Sequence, residues 1–118
     1  MTRKGNEPGR TLRRGEDGYE QARRDCSFNA RLADRYPDLI VQANNTDDVV
    51  TAVRAARRDG MTIGVRSGGH SWAGNHIRDG GMLLDLSRLD HATIDRATMT
   101  ATAEPGTGGY DLAMALAK

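Results

Sequence analysis

The run Arg66-Ser67-Gly68-Gly69-His70-Ser71-Trp72 places a cation, two hydroxyls, a glycine pair and an imidazole side by side. Glycine reaches positive φ at little cost. Gly68-Gly69 can therefore turn the chain sharply and aim successive backbone amides into one concavity. Such a concavity binds anions, phosphates above all. Arg66 and Ser67 can add a charge and a hydroxyl to the same anion, and His70 stands where a phosphate-anchored ligand would pass. The competing reading is an ordinary strand-to-loop turn with a surface histidine, because Gly-Gly pairs mark turns generally. A second glycine-rich stretch, Glu104-Pro105-Gly106-Thr107-Gly108-Gly109, would let backbone approach a flat ring closely at Gly106.

Other chemistries fit poorly. No G-x-G-x-x-G opens a helix and no G-x-x-x-x-G-K-[ST] is present. His70, His76 and His91 lack zinc-ligand spacing and partners. Ser71 and His70 are adjacent, which points their side chains apart and disfavours a nucleophile–base pair. Cys26, the single cysteine, reads as a small core residue rather than a reactive thiol, since no nearby histidine or helix start is evident to lower its pKa.

The elements that must position the loop follow from periodicity. Residues 1–18 are polar and glycine-rich and read as a flexible arm. Tyr19, Ala22, Cys26 and Ala30 recur at helical spacing, so a short helix over 19–29 should turn Tyr19 and Cys26 inward, with Phe28 buried as well. Residues 36–41 enter a strand, with Pro37 at its start. Thr46 is the expected N-cap of the clearest helix, with Asp47 and Asp48 in its first turn. Val49, Val50, Val53 and Ala56 form its apolar stripe, and Gly60 is its stop. Residues 61–66 make a second strand. Strand, helix and strand in this order form a βαβ unit with a parallel pair and a right-handed crossover. The glycine loop then leaves a strand's carboxyl end, where open α/β sheets bind ligands. Met82-Leu83-Leu84-Asp85-Leu86 is a third strand whose unbroken apolar run requires burial on both faces. A helical turn over 87–90 follows. Residues 91–94 and 99–103 are two short strands about a turn at 95–98. Residues 110–118 begin a helix with Leu112, Ala113 and Leu116 on one face. The sheet is not visibly closed, so the chain reads as the N-terminal part of a larger protein, or a fragment of one.

Composition narrows the function classes. A chain of 118 residues suits one domain. A net charge of +1 gives no case for nucleic acid or an anionic membrane as partner. The basic residues of the arm are interrupted by Glu7, Glu16 and Asp17 and carry no aromatics between them, so a solvated tail is the better reading. No apolar run reaches the ~18 residues of a membrane span, and the charged N-terminus is no signal peptide as it stands. A cytoplasmic protein is the default expectation.

Taken together, the run from Arg66 to Gly74, the upstream Leu39-Ile40-Val41 and Thr46-Asp47-Asp48-Val49, and the downstream Met82-Leu83-Leu84-Asp85-Leu86-Ser87 resemble the PCMH-type FAD-binding domain. The branch is that of oxygen-dependent FAD-linked oxidoreductases similar to berberine bridge enzyme. The resemblance runs from residue 35 to 118 and implies an α+β fold, with residues 1–34 as arm and short helix before it. It implies that Arg66, Ser67, Gly68, Gly69 and His70 form the loop whose amides hold the FAD pyrophosphate, with Ser71 at its edge. It implies that His70 is joined through a ring nitrogen to the flavin 8α-methyl, a site to which neutral imidazole can add. Gly74 would be a backbone-approach position and Gly106 would lie near the flavin or its ribityl chain. The cysteine that gives many members a second covalent link is not matched by Cys26, which lies far upstream. An intact member would oxidise an alcohol, sugar or secondary metabolite and pass the electrons to oxygen. The residue acting as catalytic base would lie beyond Lys118. A non-catalytic nucleotide- or anion-binding module, or an inactive fragment of such an oxidase, is the alternative.

Overall fold

Two strands buried at every position, Leu39–Gln42 and Met82–Asp85, organise the chain. Their apolar residues alternate between two cores. Ile40 and Leu83 point to one face, and Leu39, Val41, Met82 and Leu84 to the other. A sheet whose strands are apolar on both sides needs a layer on each, and the helices supply them. The computed structural model describes residues 9–118. In chain order these form β1 (Arg10–Arg13), α1 (Tyr19–Asp25), β2 (Leu39–Gln42), α2 (Thr46–Arg58), β3 (Ile63–Arg66), β4 (Met82–Asp85), β5 (Ala92–Asp95), β6 (Thr100–Ala103) and α3 (Gly109–Leu116). The architecture is α+β, as expected.

The main sheet has the order β1-β2-β4-β3. Strand β4 runs parallel to both β2 and β3, and β1 is antiparallel to β2. The expected unit β2–α2–β3 is present with parallel strands, but β2 and β3 are not neighbours, because β4 lies between them. The physical reason lies in burial. Met82-Leu83-Leu84 must be covered on both faces and across both edges, whereas β3 has an exposed Val65 and suits the sheet's rim.

Residues 10–13 correct the expectation of a flexible arm, because they form β1. Leu12 is buried there and joins Tyr19, Ala22, Cys26, Ile40, Ile77 and Leu83 in one cluster. One apolar residue among charges gave no periodic signal, and the pairing with β2 is long-range. Residues 1–8, the remainder of the expected arm, lie outside the described residues. The predicted inward positions of α1 hold, and the Tyr19 hydroxyl donates to Pro37 O at 2.5 Å. Phe28 does not: it is half exposed.

Helix α2 is capped one residue earlier than expected. Asn45 adopts an extended backbone, and its Oδ1 accepts from Asp48 N at 2.8 Å. The Asp48 carboxylate reaches back to Asn44 N at 2.9 Å and Gly9 N at 3.1 Å. The buried stripe is Ala52 and Ala56, with Val49 partly covered, while Val50 and Val53 face out. Small residues let the helix lie close on the sheet. Gly60 ends it with φ +64°. The predicted hairpin is β5–β6, its turn closed by Asp95 Oδ1 accepting from Ala97 N and Thr98 N.

If β1 is an integral strand, Leu12→Ala should lower the unfolding free energy by about 2–4 kcal/mol. Urea denaturation followed by circular dichroism reads this directly. An unchanged midpoint would mean that β1 contributes nothing to the fold.

Candidate cofactor site

Strands β3 and β4 end in register at Arg66 and Asp85. Arg66 Nη1 donates to Asp85 Oδ1 at 3.0 Å, and Nη2 donates to Asp25 O at the end of α1, also at 3.0 Å. The side chains are only 15% and 6% exposed. Asp85 Oδ1 also accepts from Ser87 N at 3.0 Å, and Cys26 Sγ lies 3.8 Å from Oδ2. The sequence reading gave Arg66 to a ligand. In the structure its two terminal nitrogens are occupied within the protein, tying β3, β4 and α1 together beneath the loop.

The glycine loop lies flush on the chain that follows α1. Gly69 has φ +71°, and a Cβ there would stand 2.6 Å from Cys26 O, so both conformation and space require glycine. Its carbonyl accepts from Phe28 N at 3.0 Å. The His70 ring folds back over Gly68, whose Cβ, if present, would meet Nδ1 at 2.9 Å. His70 itself is exposed. Arg66, Ser67, Gly69, His70 and Ser71 line one groove of about 350 Å³ with Val65, Asn75 and His76. The amides of Gly68, Gly69, His70 and Ser71 donate to no acceptor among the described residues. A run of uncommitted amides beside a polar groove is what an anion nest provides.

The rest of the loop is held from two sides. Arg35 Nε donates to Ile77 O at 2.6 Å, and its Nη2 donates to Ala73 O at 2.9 Å and Gly74 O at 2.8 Å. Gly74 thus sits under this guanidinium, at the foot of the loop. His76 Nε2 lies 2.6 Å from Cys26 O, and because a carbonyl only accepts, that nitrogen carries the proton. Sequence reasoning missed Arg35, Asp85, Asn75 and His76 as parts of the site. A buried aspartate ending an apolar strand was the one visible signal, since such a charge needs a partner.

Gly106 is not among the groove residues. It packs on the segment after β4, where a Cβ would stand 2.6 Å from both Leu86 O and Ser87 O. Its amide donates to Leu89 O at 2.7 Å. Leu86 N in turn donates to Arg66 O at 2.8 Å. The two glycine loops therefore meet at the same end of the sheet, linked through Leu86. Cys26 is fully buried, as expected, and burial, with Asp85 adding to it, pushes its thiol up to about 12.

A family model described as FAD binding domain matches residues 37–118. The FAD-linked oxidoreductase nodO of Hypoxylon pulicicidum is 42% identical over 101 residues, which is 85% of this chain and 22% of that protein. The crystal structure of 6-hydroxy-D-nicotine oxidase from Arthrobacter nicotinovorans superposes with a TM-score of 0.82 at 30% identity, covering 96% of this chain and 24% of that one. Xylooligosaccharide oxidase from Myceliophthora thermophila does so at 0.76 and 29%, covering 95% and 23%. The chain belongs to the PCMH-type FAD-binding domain family of FAD-linked oxidoreductases. It spans 22% of nodO and 24% of the nicotine oxidase. Among the described residues, no helix is long and apolar enough to cross a membrane.

Three outcomes follow from this geometry. Asp85→Ala leaves Arg66 charged and buried without its carboxylate, and should cost about 3–5 kcal/mol of stability in chemical denaturation. Cys26 should alkylate in the native protein only through unfolding, at a rate that rises with denaturant. Its raised pKa also makes stability fall as pH climbs from the ordinary thiol value of 9.0 towards about 12, because the unfolded thiol ionises first.

Proposed function

We propose that this chain supplies the FAD-binding segment of an oxidoreductase that oxidises an alcohol, sugar or secondary metabolite and passes the electrons to oxygen. The FAD is joined covalently through His70. The observation that carries the reading is the run of four uncommitted amides, Gly68 to Ser71, beside a polar groove. The amides hold the pyrophosphate, with the Ser67 and Ser71 hydroxyls at its edges and Asn75 and His76 completing the lining. Bound FAD supplies the hydride acceptor and returns its electrons to oxygen. The chain's own residues bind and orient it.

His70 suits the attachment because its ring is exposed at the groove and is not tied up in a hydrogen bond among the described residues. Gly68 leaves room for the ring to fold back. Gly74 keeps the far side of the loop in place through Arg35. Gly106 brings the second glycine loop towards the same end of the sheet, the side on which the ring and ribityl chain would lie. The relatives named above as oxidases of a nicotine derivative and of a xylooligosaccharide support a small-molecule substrate. A second reading, a nucleotide-binding module without redox chemistry, draws on the same four amides. It expects ADP to bind with no flavin retained.

The decisive measurement is acid precipitation of protein made in flavin-replete cells. Yellow colour should stay with the polypeptide, and His70→Ala should release it to the supernatant. Colour that washes away from the unaltered protein would sink the His70 linkage while leaving FAD binding intact.

A further inference from the structure

Helix α2 covers only part of its side of the main sheet. A helix is about 10 Å across and neighbouring strands lie about 4.8 Å apart, so one helix roofs about two strands of a four-stranded sheet. It packs against β4, with Ala52 and Ala56 in one cluster with Met82 and Leu84. The margin over β1 and β2 is left as a cleft of about 250 Å³. Its floor is apolar, made by Leu39, Val41 and Met82. One wall is α2, where Ala52 and Ala55 are too small to fill the space. The other wall is β1. Thr11 and Arg13 pair with Val41 and Leu39 and share their face, because Leu12 between them points to the opposite core.

The charges around this cleft leave one cation over. Asp59 is held by Arg58, at 3.0 and 3.3 Å. Asp48 accepts from Gly9 N and Asn44 N and sits in the first turn of α2, where the helix dipole offsets its charge. The Arg13 guanidinium makes no hydrogen bond or ion pair among the described residues. Asp59, already taken by Arg58, feels the Arg13 charge without bonding it. An apolar floor with one unspent cation at its rim matches a carboxylate carried on a hydrocarbon body. The volume is that of about eight waters, which is room for a single ring and too little for a helix. We infer that the cleft binds a small aromatic carboxylate, its ring on Leu39, Val41 and Met82 and its charged end on Arg13. The cleft shares no lining residue with the groove at the glycine loop, so this site stands or falls apart from the FAD reading.

The test is a titration of the 118-residue chain with benzoate at constant ionic strength, followed by NMR at Thr11, Val41, Ala52 and Ala55. These signals should shift saturably with a Kd of about 1 mM, in keeping with so few ligand atoms. Benzyl alcohol keeps the ring and loses the charge, and should bind at least about tenfold more weakly. Arg13→Gln should weaken benzoate binding by a similar factor. Ala55→Leu fills the cleft from the helix wall with a good helix former, and should abolish the shifts. Inorganic phosphate, charged but without a ring, should leave the signals in place. Benzoate shifts that are absent or never saturate overturn the site. So does benzyl alcohol binding as tightly as benzoate, or a benzoate affinity untouched by Arg13→Gln or by Ala55→Leu. Phosphate moving the same signals as strongly marks a general anion contact and overturns it as well.

Discussion

The buried pair between Arg66 and Asp85 is the constraint on which the site depends. A charge pair removed from water is tolerated only with good geometry and further hydrogen bonds, and here each partner has them. Arg66 adds Asp25 O and Asp85 adds Ser87 N. The pair closes the carboxyl ends of β3 and β4, and the same guanidinium reaches the end of α1. The glycine loop has to start from this junction and lie across the chain after α1, which only a residue without Cβ can do at position 69. Loop shape is thus fixed jointly by the contact beneath it and by the glycine at position 69.

That placement changes the electrostatics of the groove. The Arg66 terminal nitrogens are committed to Asp85 and Asp25 O, while its Nε is buried without a partner among the described residues, on a groove wall that also carries hydroxyls and imidazoles beside the uncommitted amides. Oriented amide dipoles in a concavity stabilise an anion without the desolvation penalty of a free guanidinium. Under the proposed function, such a wall would let a protein of net charge +1 hold a pyrophosphate without a basic surface that would attract nucleic acid.

Much of this was legible in the sequence, and the gaps have physical causes. The strands at 39–42, 63–66 and 82–85, both glycine loops and the helix stop at Gly60 follow from local pattern and turn chemistry. Strand order did not, because which strand takes the centre depends on burial summed over partners far apart in the chain. The strand at 10–13 carries one inward residue, Leu12, too few to show a period of two. Phe28 was misplaced because apolarity alone suggests burial, whereas this ring lies half exposed, edge-on to His70 and Trp72. Arg66 was assigned to the loop and its ligand, whereas it closes strand β3 and its terminal nitrogens turn to Asp85 and Asp25 O. Its direction depended on Asp85, nineteen residues away, which no local window contains.

The two halves of the chain differ in how firmly they are built. The sheet of β1 to β4 has a packed cluster on each face. The hairpin β5–β6 and α3 bury almost nothing: every residue of β6 is exposed, and α3 has no buried residue. Gly106 joins the weak half to the strong one through the carbonyls of Leu86, Ser87 and Leu89, next to the end of β3. A ligand lying across both glycine loops would therefore tie the hairpin and α3 to the sheet at that junction.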